Sequence, residues 1–190
     1  MPNATSPSWD ALYATAELQA GYFTTVQAAE AGYSPQLLYK HLKAGRVRRV
    51  RRGIYRLVHF PLSDEEHLVE CWLWAERAGV YSHETALFYH DLSDVLPTHM
   101  YLTVPEAWRE RRLRVPEGLV LRYGLVPEAE RTWLGPVPIT KPARAIRDVI
   151  NTQLSPEHIE RALAEARHRG LIRGDEADEL DARLRELQRT

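Results

Sequence analysis

The stretch KHLKAGRVRRVRRGIYR, from Lys40 to Arg56, decides how this chain is interpreted. It contains neither Asp nor Glu, and its basic residues are Lys40, Lys43, Arg46, Arg48, Arg49, Arg51, Arg52 and Arg56. Positive charges at this density repel one another, and a bound polyanion would relieve that repulsion. The stretch therefore predicts a surface that binds nucleic acid.

Two short helices are predicted immediately before the basic stretch. Thr24 followed by Gln27 has the spacing of a capping box and opens an alanine-rich helix. Gly32 permits the left-handed turn that ends a helix, and Ser34-Pro35 combines a capping residue with a proline at the first helical position. This order of helix, glycine turn and helix is typical of a helix–turn–helix. Tyr22-Phe23, just upstream, is expected to form an apolar plug.

The second of these helices, about 35–44, has two distinct faces. Leu38 and Leu42 lie four residues apart and are expected to face the core. A polar and basic face carries Gln36, Tyr39, Lys40 and Lys43. Such a helix can enter the major groove, so we predict base contacts from Gln36, Tyr39 and Lys40. The Ser34 hydroxyl and the helix N-terminus are expected to bind one phosphate.

A basic hairpin follows the second helix directly. Residues 46–51 read as one strand, Arg52-Gly53 as a turn and residues 54–58 as a second strand, which together form a wing. Its strand register stays open, because Val47 and Val50 cannot share one face at a period of two. Phosphate contacts are expected from Lys43, Arg46, Arg48 and Arg49, and contacts to phosphate or the minor groove from Arg51 and Arg52. The alternative is a solvated hairpin on an ordinary helix pair.

The charge distribution divides the chain. Residues 1–60 contain 8 Lys and Arg against 3 Asp and Glu, giving +5, whereas the rest contains 17 against 23, giving −6. A basic front end on an acidic body is typical of a DNA-binding module joined to a second domain. We predict an α+β protein with an N-terminal winged helix–turn–helix at about 8–60. A mixed α/β domain with a small sheet and C-terminal helices follows at about 64–190.

Several segments resemble the AbiEi-type antitoxin and transcriptional regulator family. The first is GYFTTVQAAEAGYSPQLLYKHLKAGRVRRVRRGIYRL; the others are YSHETALFYHDLSD, MYLTVP and VPITKPARAIRDVI, and together they span roughly residues 12–170. The resemblance implies a DNA-binding repressor of its own promoter that acts as the antitoxin of a type IV toxin–antitoxin system. It implies a nucleotidyltransferase-like toxin as genetic partner, without required direct binding, and antitoxin activity in the second domain. Some members of the group are regulators without a toxin.

Enzymatic activity is not expected. The residues two positions before Lys40, Lys43 and Lys141 are not acidic, so the acid-x-Lys motif of restriction-type nucleases is absent, as are phosphate loops. Glu84 reads as a first-turn acid favoured by the helix dipole. The alternatives are a nuclease in which Glu84 is catalytic and the winged helix supplies targeting, and a winged helix that docks protein.

No metal site and no cofactor are expected. Only the region of His83, His90, Asp91, Asp94 and His99 suggests a metal, and its spacing matches no standard ligand pattern. A second basic surface is predicted at Arg109, Arg111, Arg112 and Arg114, either as a solvated loop or as an auxiliary surface for nucleic acid or a partner. With no membrane-length apolar run and no signal-peptide pattern, we expect no membrane association and a cytoplasmic location.

Overall fold

The computed structural model describes residues 6–94, 96–152 and 154–189. The chain forms two compact units. The first contains the residues up to Arg77 together with Gly135–Val137, and the second contains Ala78–Leu134 and the chain from Pro138 onward. Both units combine helices with a small sheet, so the predicted α+β class is confirmed. The first unit extends past the predicted limit near residue 60, because one further helix packs on it.

Four helices belong to the first unit: α1 (Trp9–Glu17), α2 (Thr25–Glu30), α3 (Pro35–Lys43) and α4 (Glu66–Trp74). The capping predictions are confirmed. The Thr24 hydroxyl accepts from the Gln27 amide at 3.2 Å, and the Gln27 side chain accepts from the Thr24 amide at 2.9 Å. Ser34 caps α3, with Pro35 at its first position. These local signals fix where α2 and α3 begin.

The sheet of the first unit has three antiparallel strands in the order β1-β3-β2. They are β1 (Tyr22–Thr24), β2 (Val47–Arg51) and β3 (Ile54–Leu57). The hairpin β2–β3 is the predicted wing. Tyr22 and Phe23 are buried, as expected for an apolar plug, and they also form β1, where they pair with Arg56 and Tyr55.

A β-bulge resolves the register of the wing. Arg49 pairs with Tyr55 and Arg51 pairs with Ile54, so Val50 is the extra residue between two paired positions. Because Val50 is unpaired, the alternation of side chains between the two faces of the sheet shifts by one residue after Arg49. Val47 can therefore be buried in the core without placing Val50 on any particular face. The two valines therefore do not need to share one face.

The core of the first unit lies between α1–α3 and one face of the sheet. Its buried side chains include Leu12, Phe23, Leu38, Val47 and Leu57. The opposite face is packed against α4, which contacts both β1 and β3. The wing sheet is thus covered on both faces, by the helix–turn–helix on one and by α4 on the other.

The second unit contains a mixed five-stranded sheet in the order β6-β5-β4-β8-β7. Its strands are β4 (Val80–Tyr81), β5 (Met100–Val104), β6 (Leu119–Tyr123), β7 (Arg131–Leu134) and β8 (Val137–Thr140). Strands β4 and β5 are antiparallel, whereas β5–β6 and β4–β8 are parallel. The presence of this sheet agrees with the prediction that the second half of the chain combines helices with a small sheet.

The helices of the second unit are α5 (His83–Tyr89), α6 (Pro142–Val149), α7 (Pro156–His168) and α8 (Gly174–Gln188). Two 3₁₀ segments lie at Glu106–Glu110 and Glu128–Glu130. Apolar residues at helical spacing are buried on α6, α7 and α8, including Ile146, Ile159 and Leu180. The expected C-terminal helices are therefore present, although Leu187, expected to face inward on α8, is exposed.

Candidate nucleic-acid interface

Helix α3 presents the polar face that the sequence predicts. Gln36, Tyr39, Lys40 and Lys43 are all exposed, whereas Leu38 is buried. The Lys43 ammonium lies 5.5 Å from the centroid of the Tyr39 ring, within the range of a cation–π contact. One side of α3 is therefore anchored in the core, and the other offers an amide, a phenol and two ammonium groups to solvent.

The Ser34 side chain has a structural task at the start of α3. Its hydroxyl oxygen accepts a hydrogen bond from the Leu37 amide at 3.2 Å. The same hydroxyl keeps one hydrogen to donate, since a serine can accept and donate together. Phosphate binding by Ser34 is thus limited to this single donor and the remaining free amides of the first turn.

His41 holds α3 in place, a role that the sequence reading missed. Its ring stacks on Trp9 of α1 at 5.3 Å between centroids and meets the edge of Tyr33 at the same distance. Burial, with Arg46 nearby, lowers the pKa of His41, so the ring is neutral near pH 7. The sequence does carry a signal for this role, because His41 lies three residues after the core residue Leu38 and therefore on the inner side of the helix.

The wing turn is tied to the start of α2. The carbonyl oxygen of Gly53 accepts from the Thr25 amide at 2.9 Å and from the Thr25 hydroxyl at 3.3 Å. Gly53 has a φ of 78°, a left-handed conformation that favours glycine at this position. Arg52, next to it, is exposed at the tip of the wing.

Six of the eight basic side chains of the stretch are exposed and have no carboxylate partner among the described residues. They are Lys40, Lys43, Arg46, Arg48, Arg49 and Arg52. Arg48 and Arg49 are successive residues of β2 and therefore point to opposite faces of the wing sheet. The six charges belong to α3, the segment after it and the wing.

Arg51 differs from its predicted role as a free wing-tip cation. It is half-buried, and its Nε donates to Glu70 Oε1 of α4 at 2.8 Å. The second contact of this ion pair, from Nη2, is 2.7 Å. Its charge is therefore compensated within the protein, which a sequence count over 17 residues cannot reveal because Glu70 lies outside the stretch.

Arg56 is a structural residue. It is 2% exposed, and its Nη2 donates to Glu66 Oε1 at 2.5 Å and to the carbonyl oxygens of Phe60 and Pro61. The Tyr22 hydroxyl donates to the other oxygen of Glu66 at 3.2 Å, and burial together with Glu66 raises the pKa of Tyr22 to about 12. The interpretation of all eight cations as uncompensated was therefore wrong at Arg51 and Arg56.

The second basic surface is partly engaged with its own neighbours. Arg109 donates to Glu106 at 2.7 Å and lies 4.8 Å from the centroid of the Tyr123 ring. The Arg111 guanidinium is 4.0 Å from the centroid of Trp108. Arg112 and Arg114 are exposed. All four arginines of the predicted surface are exposed, and Arg109 and Arg111 also contact neighbouring side chains.

The histidine and aspartate side chains of the region from His83 to Asp94 make separate contacts. His83 Nδ1 lies 2.8 Å from Ser82 Oγ, His90 Nε2 lies 2.7 Å from the Thr140 carbonyl oxygen, and Asp94 pairs with Arg161. Within the described ranges, no group of three or more His, Cys, Asp or Glu side chains could hold a metal ion. Glu84 lies in the first turn of α5, as predicted.

Helices α1–α3 and the sheet β1-β3-β2 define the first unit as a winged helix–turn–helix. Residues 10–58 match the family described as "Transcriptional regulator, AbiEi antitoxin". The resemblance to this DNA-binding regulator family is therefore confirmed over the winged helix. For the segments beyond residue 58 the resemblance stays a prediction.

Among solved structures, the crystal structure of the RV2827C protein from Mycobacterium tuberculosis is similar to this chain. The likeness covers 96% of this chain and 79% of that chain, with 14% sequence identity and a TM-score of 0.43. No curated protein matches the chain in sequence. None of the described helices has the length and apolarity needed to cross a membrane.

Proposed function

We propose that this protein is a repressor that binds double-stranded DNA in its own promoter. The observation that carries the proposal is the set of six exposed, unpaired cations on α3, the segment after it and the wing. Two of these cations lie on α3 itself, and the exposed face of this helix also offers the Gln36 amide and the Tyr39 phenol. A regular polyanion with readable base edges fits this combination better than a protein surface does.

Helix α3 is proposed to lie in the major groove. Gln36, Tyr39 and Lys40 then face base edges, because their side chains share the exposed side of the helix. Phosphate contacts are assigned to Lys43, Arg46, Arg48 and Arg49, and the wing-tip Arg52 is assigned to phosphate or the minor groove. Arg51 is removed from the interface, because Glu70 already pairs with it, and Arg56 is not assigned to it, because it is buried against Glu66.

Salt dependence tests this proposal. Fluorescence anisotropy of a labelled duplex from upstream of the protein's own gene gives the affinity at several salt concentrations. If about five of the six cations contact phosphates, the log–log slope is about −4 to −5. A slope near zero would support a protein-docking winged helix instead and contradict the proposal.

The biological role is proposed to be that of a cytoplasmic type IV antitoxin. The support is the match of residues 10–58 to the antitoxin and regulator family. A nucleotidyltransferase-like toxin is the expected genetic partner, and protection does not require direct binding. Co-expression with the neighbouring gene tests this: if that gene is a toxin, the second unit reduces its effect on growth. A neighbouring gene without toxicity would favour a regulator that acts without a toxin.

Catalysis is not part of the proposed function. The Glu84 carboxylate, the candidate for a nuclease, lies at the start of α5 and has one buried oxygen without a hydrogen-bond partner among the described residues. Incubation with supercoiled and linear DNA in the presence of Mg²⁺ or Mn²⁺ tests the point. Metal-dependent cleavage that disappears in Glu84→Gln would contradict a purely regulatory role.

A further inference from the structure

The tip of the wing is held by a residue outside the basic stretch. Arg52 is exposed at this tip, and the carbonyl oxygen of its neighbour Gly53 accepts from both the amide and the hydroxyl of Thr25. Strand β1 ends at Thr24, which pairs with Ile54. The bond from the Thr25 amide therefore continues the pairing of β1 with β3 by one residue, into the turn. The first residue of α2 thus holds the turn that presents Arg52.

The α2 end of this tie is itself fixed in place. The capping box of Thr24 and Gln27 sets the first turn of α2. The Gln27 side chain is buried and exchanges two amide hydrogen bonds with Gln19, at 2.9 and 3.2 Å. Gln19 also donates to the carbonyl oxygen of Tyr22 at 3.0 Å. Because this network leaves the start of α2 little freedom, Thr25 can transmit its order to the wing turn.

The Thr25 hydroxyl is committed to the tie. A threonine hydroxyl has one hydrogen to donate, and the bond to the Gly53 carbonyl oxygen uses it. This hydroxyl therefore has no hydrogen left for a DNA phosphate, although the side chain is exposed on the helix–turn–helix. Any effect of Thr25 on duplex binding has to pass through the wing.

Holding the turn in the free protein favours the contact that Arg52 makes. A loop that is ordered only on binding loses conformational entropy at that moment, which weakens the complex. The turn between the paired residues Arg51 and Ile54 is already fixed by the tie to Thr25, so this entropy is lost on folding instead. Binding then has to immobilise the Arg52 side chain alone.

We propose that Thr25 is a positioning residue for the DNA contact of Arg52, and that it acts by holding the wing turn through Gly53. The inference rests on the proposed duplex binding. It assigns a role in that binding to an uncharged residue of α2, 27 positions before the arginine that it positions.

The variant Thr25→Pro cuts the tie and preserves the helix. Thr25 is the first residue of α2, where proline is favoured. Thr24 before it has φ −97° and ψ 165°, the extended backbone that a following proline requires. The substitution removes the amide hydrogen and the hydroxyl together. Thr25→Ser is the matched control, because it keeps both donors.

Fluorescence anisotropy on the promoter duplex measures the effect on binding. Thr25→Pro should bind roughly fivefold to tenfold more weakly than the wild type, on the scrambled duplex as well, whereas Thr25→Ser should match the wild type. In the Arg52→Ala background, Thr25→Pro should cost less than about twofold, because the contact that the tie positions is already absent. A loss of folding would weaken binding equally in both backgrounds.

Nuclear magnetic resonance relaxation of the free protein tests the tie without DNA. The backbone amides of Arg52 and Gly53 should be as ordered as the strands in the wild type and in Thr25→Ser. In Thr25→Pro they should become more mobile on the picosecond to nanosecond timescale, while the amides of α3 stay ordered. This readout separates a loosened wing turn from a disturbed helix–turn–helix.

Three results would overturn the proposal: wild-type affinity in Thr25→Pro, an equal loss in the wild-type and Arg52→Ala backgrounds, or unchanged order of the turn amides. The second result would assign Thr25 a direct phosphate contact or a general structural role. If the wild type itself shows no salt-dependent duplex binding, the proposed function fails and this inference falls with it. Normal wild-type binding with any of the three results refutes the role of Thr25 alone.

Discussion

Arg51 at the end of strand β2 donates through Nε to Glu70 of α4 at 2.8 Å. The two side chains are 36% and 22% exposed, so water screens this pair only in part. Helix α4, which lies outside the helix–turn–helix, thus neutralises one positive charge of the wing through Glu70. Together with the pair Arg56–Glu66, it removes two of the eight cations from the surface available to DNA.

Releasing Arg51 should strengthen duplex binding. In Glu70→Gln the guanidinium loses its carboxylate partner and can turn to a phosphate. We expect roughly threefold to tenfold tighter binding at low salt and a slope steeper by about one unit, measured by anisotropy. Asp64→Asn is the matched control, because it makes the same charge change at an exposed residue without a wing partner. Equal gains in the two variants would show that only net charge matters.

Breaking the buried pair should destabilise the first unit. Glu66→Ala leaves Arg56 buried at 2% exposure without its carboxylate and removes the acceptor of the Tyr22 hydroxyl. The expected loss is about 3 kcal/mol in the free energy of unfolding, from urea titration followed by circular dichroism. The conservative change Glu66→Gln keeps one accepting oxygen for the Arg56 guanidinium, and its NH2 group can donate to the Tyr22 hydroxyl, so it should cost less. An unchanged midpoint in Glu66→Ala would mean that the pair is not structural.

The shortest DNA-binding fragment should end at Arg77 and not near residue 62. Helix α4 covers the face of the wing sheet that carries Tyr22 and Arg56, and a fragment ending at residue 62 would expose it. We expect residues 1–77 to fold cooperatively and bind duplex DNA, and residues 1–62 to show weak or no cooperative unfolding. Circular dichroism melts of the two fragments compare them. Equal melting temperatures would contradict the structural role of α4.

The stability of the second unit should fall in mild acid. His83 has a folded pKa of about 4 against 6.5 when exposed, so the unfolded chain binds an additional proton between these values. This contribution is complete above pH 6.5 and is lost as the pH falls toward 4. Between pH 7 and 4.5 the wild type should lose on the order of 2 kcal/mol more than His83→Asn, measured by urea unfolding.

Asparagine is the suitable replacement at position 83. It tolerates the left-handed backbone there, carries hydrogen-bonding groups that could reach Ser82, and does not titrate. His90, whose pKa is also lowered by burial, is present in both proteins and cancels in the comparison. Parallel pH profiles for the two proteins would show that His83 is not held neutral by the fold.

Local sequence signals were enough to predict the helix–turn–helix and the hairpin. The caps at Thr24 and Ser34 act within three residues, and the exposed face of α3 follows from helical spacing alone. Strand β1 could not be found in this way, because three residues become a strand only through pairing with β3 far along the chain. The bulge at Val50 was signalled by the two valines but needed the paired strand to locate it.

The site was harder to predict than the fold. The roles of Arg51 and Arg56 depend on carboxylates 19 and 10 residues away, on a helix that sequence reasoning assigned to the other domain. The other six basic residues of the stretch have no carboxylate partner among the described residues, and their exposure agrees with the prediction. The tie between Thr25 and the wing turn joins residues 28 positions apart, and no spacing in the sequence indicates it.

The most direct test of base reading by α3 compares two variants on two duplexes. Gln36→Ala and Arg52→Ala are titrated by anisotropy against the promoter duplex and a scrambled duplex of equal length. We predict that Gln36→Ala loses about 1–3 kcal/mol on the promoter and little on the scrambled duplex. Arg52→Ala should weaken both alike and flatten the salt slope by about one unit. Equal losses on the two duplexes for Gln36→Ala would contradict the assignment of α3 as the recognition helix.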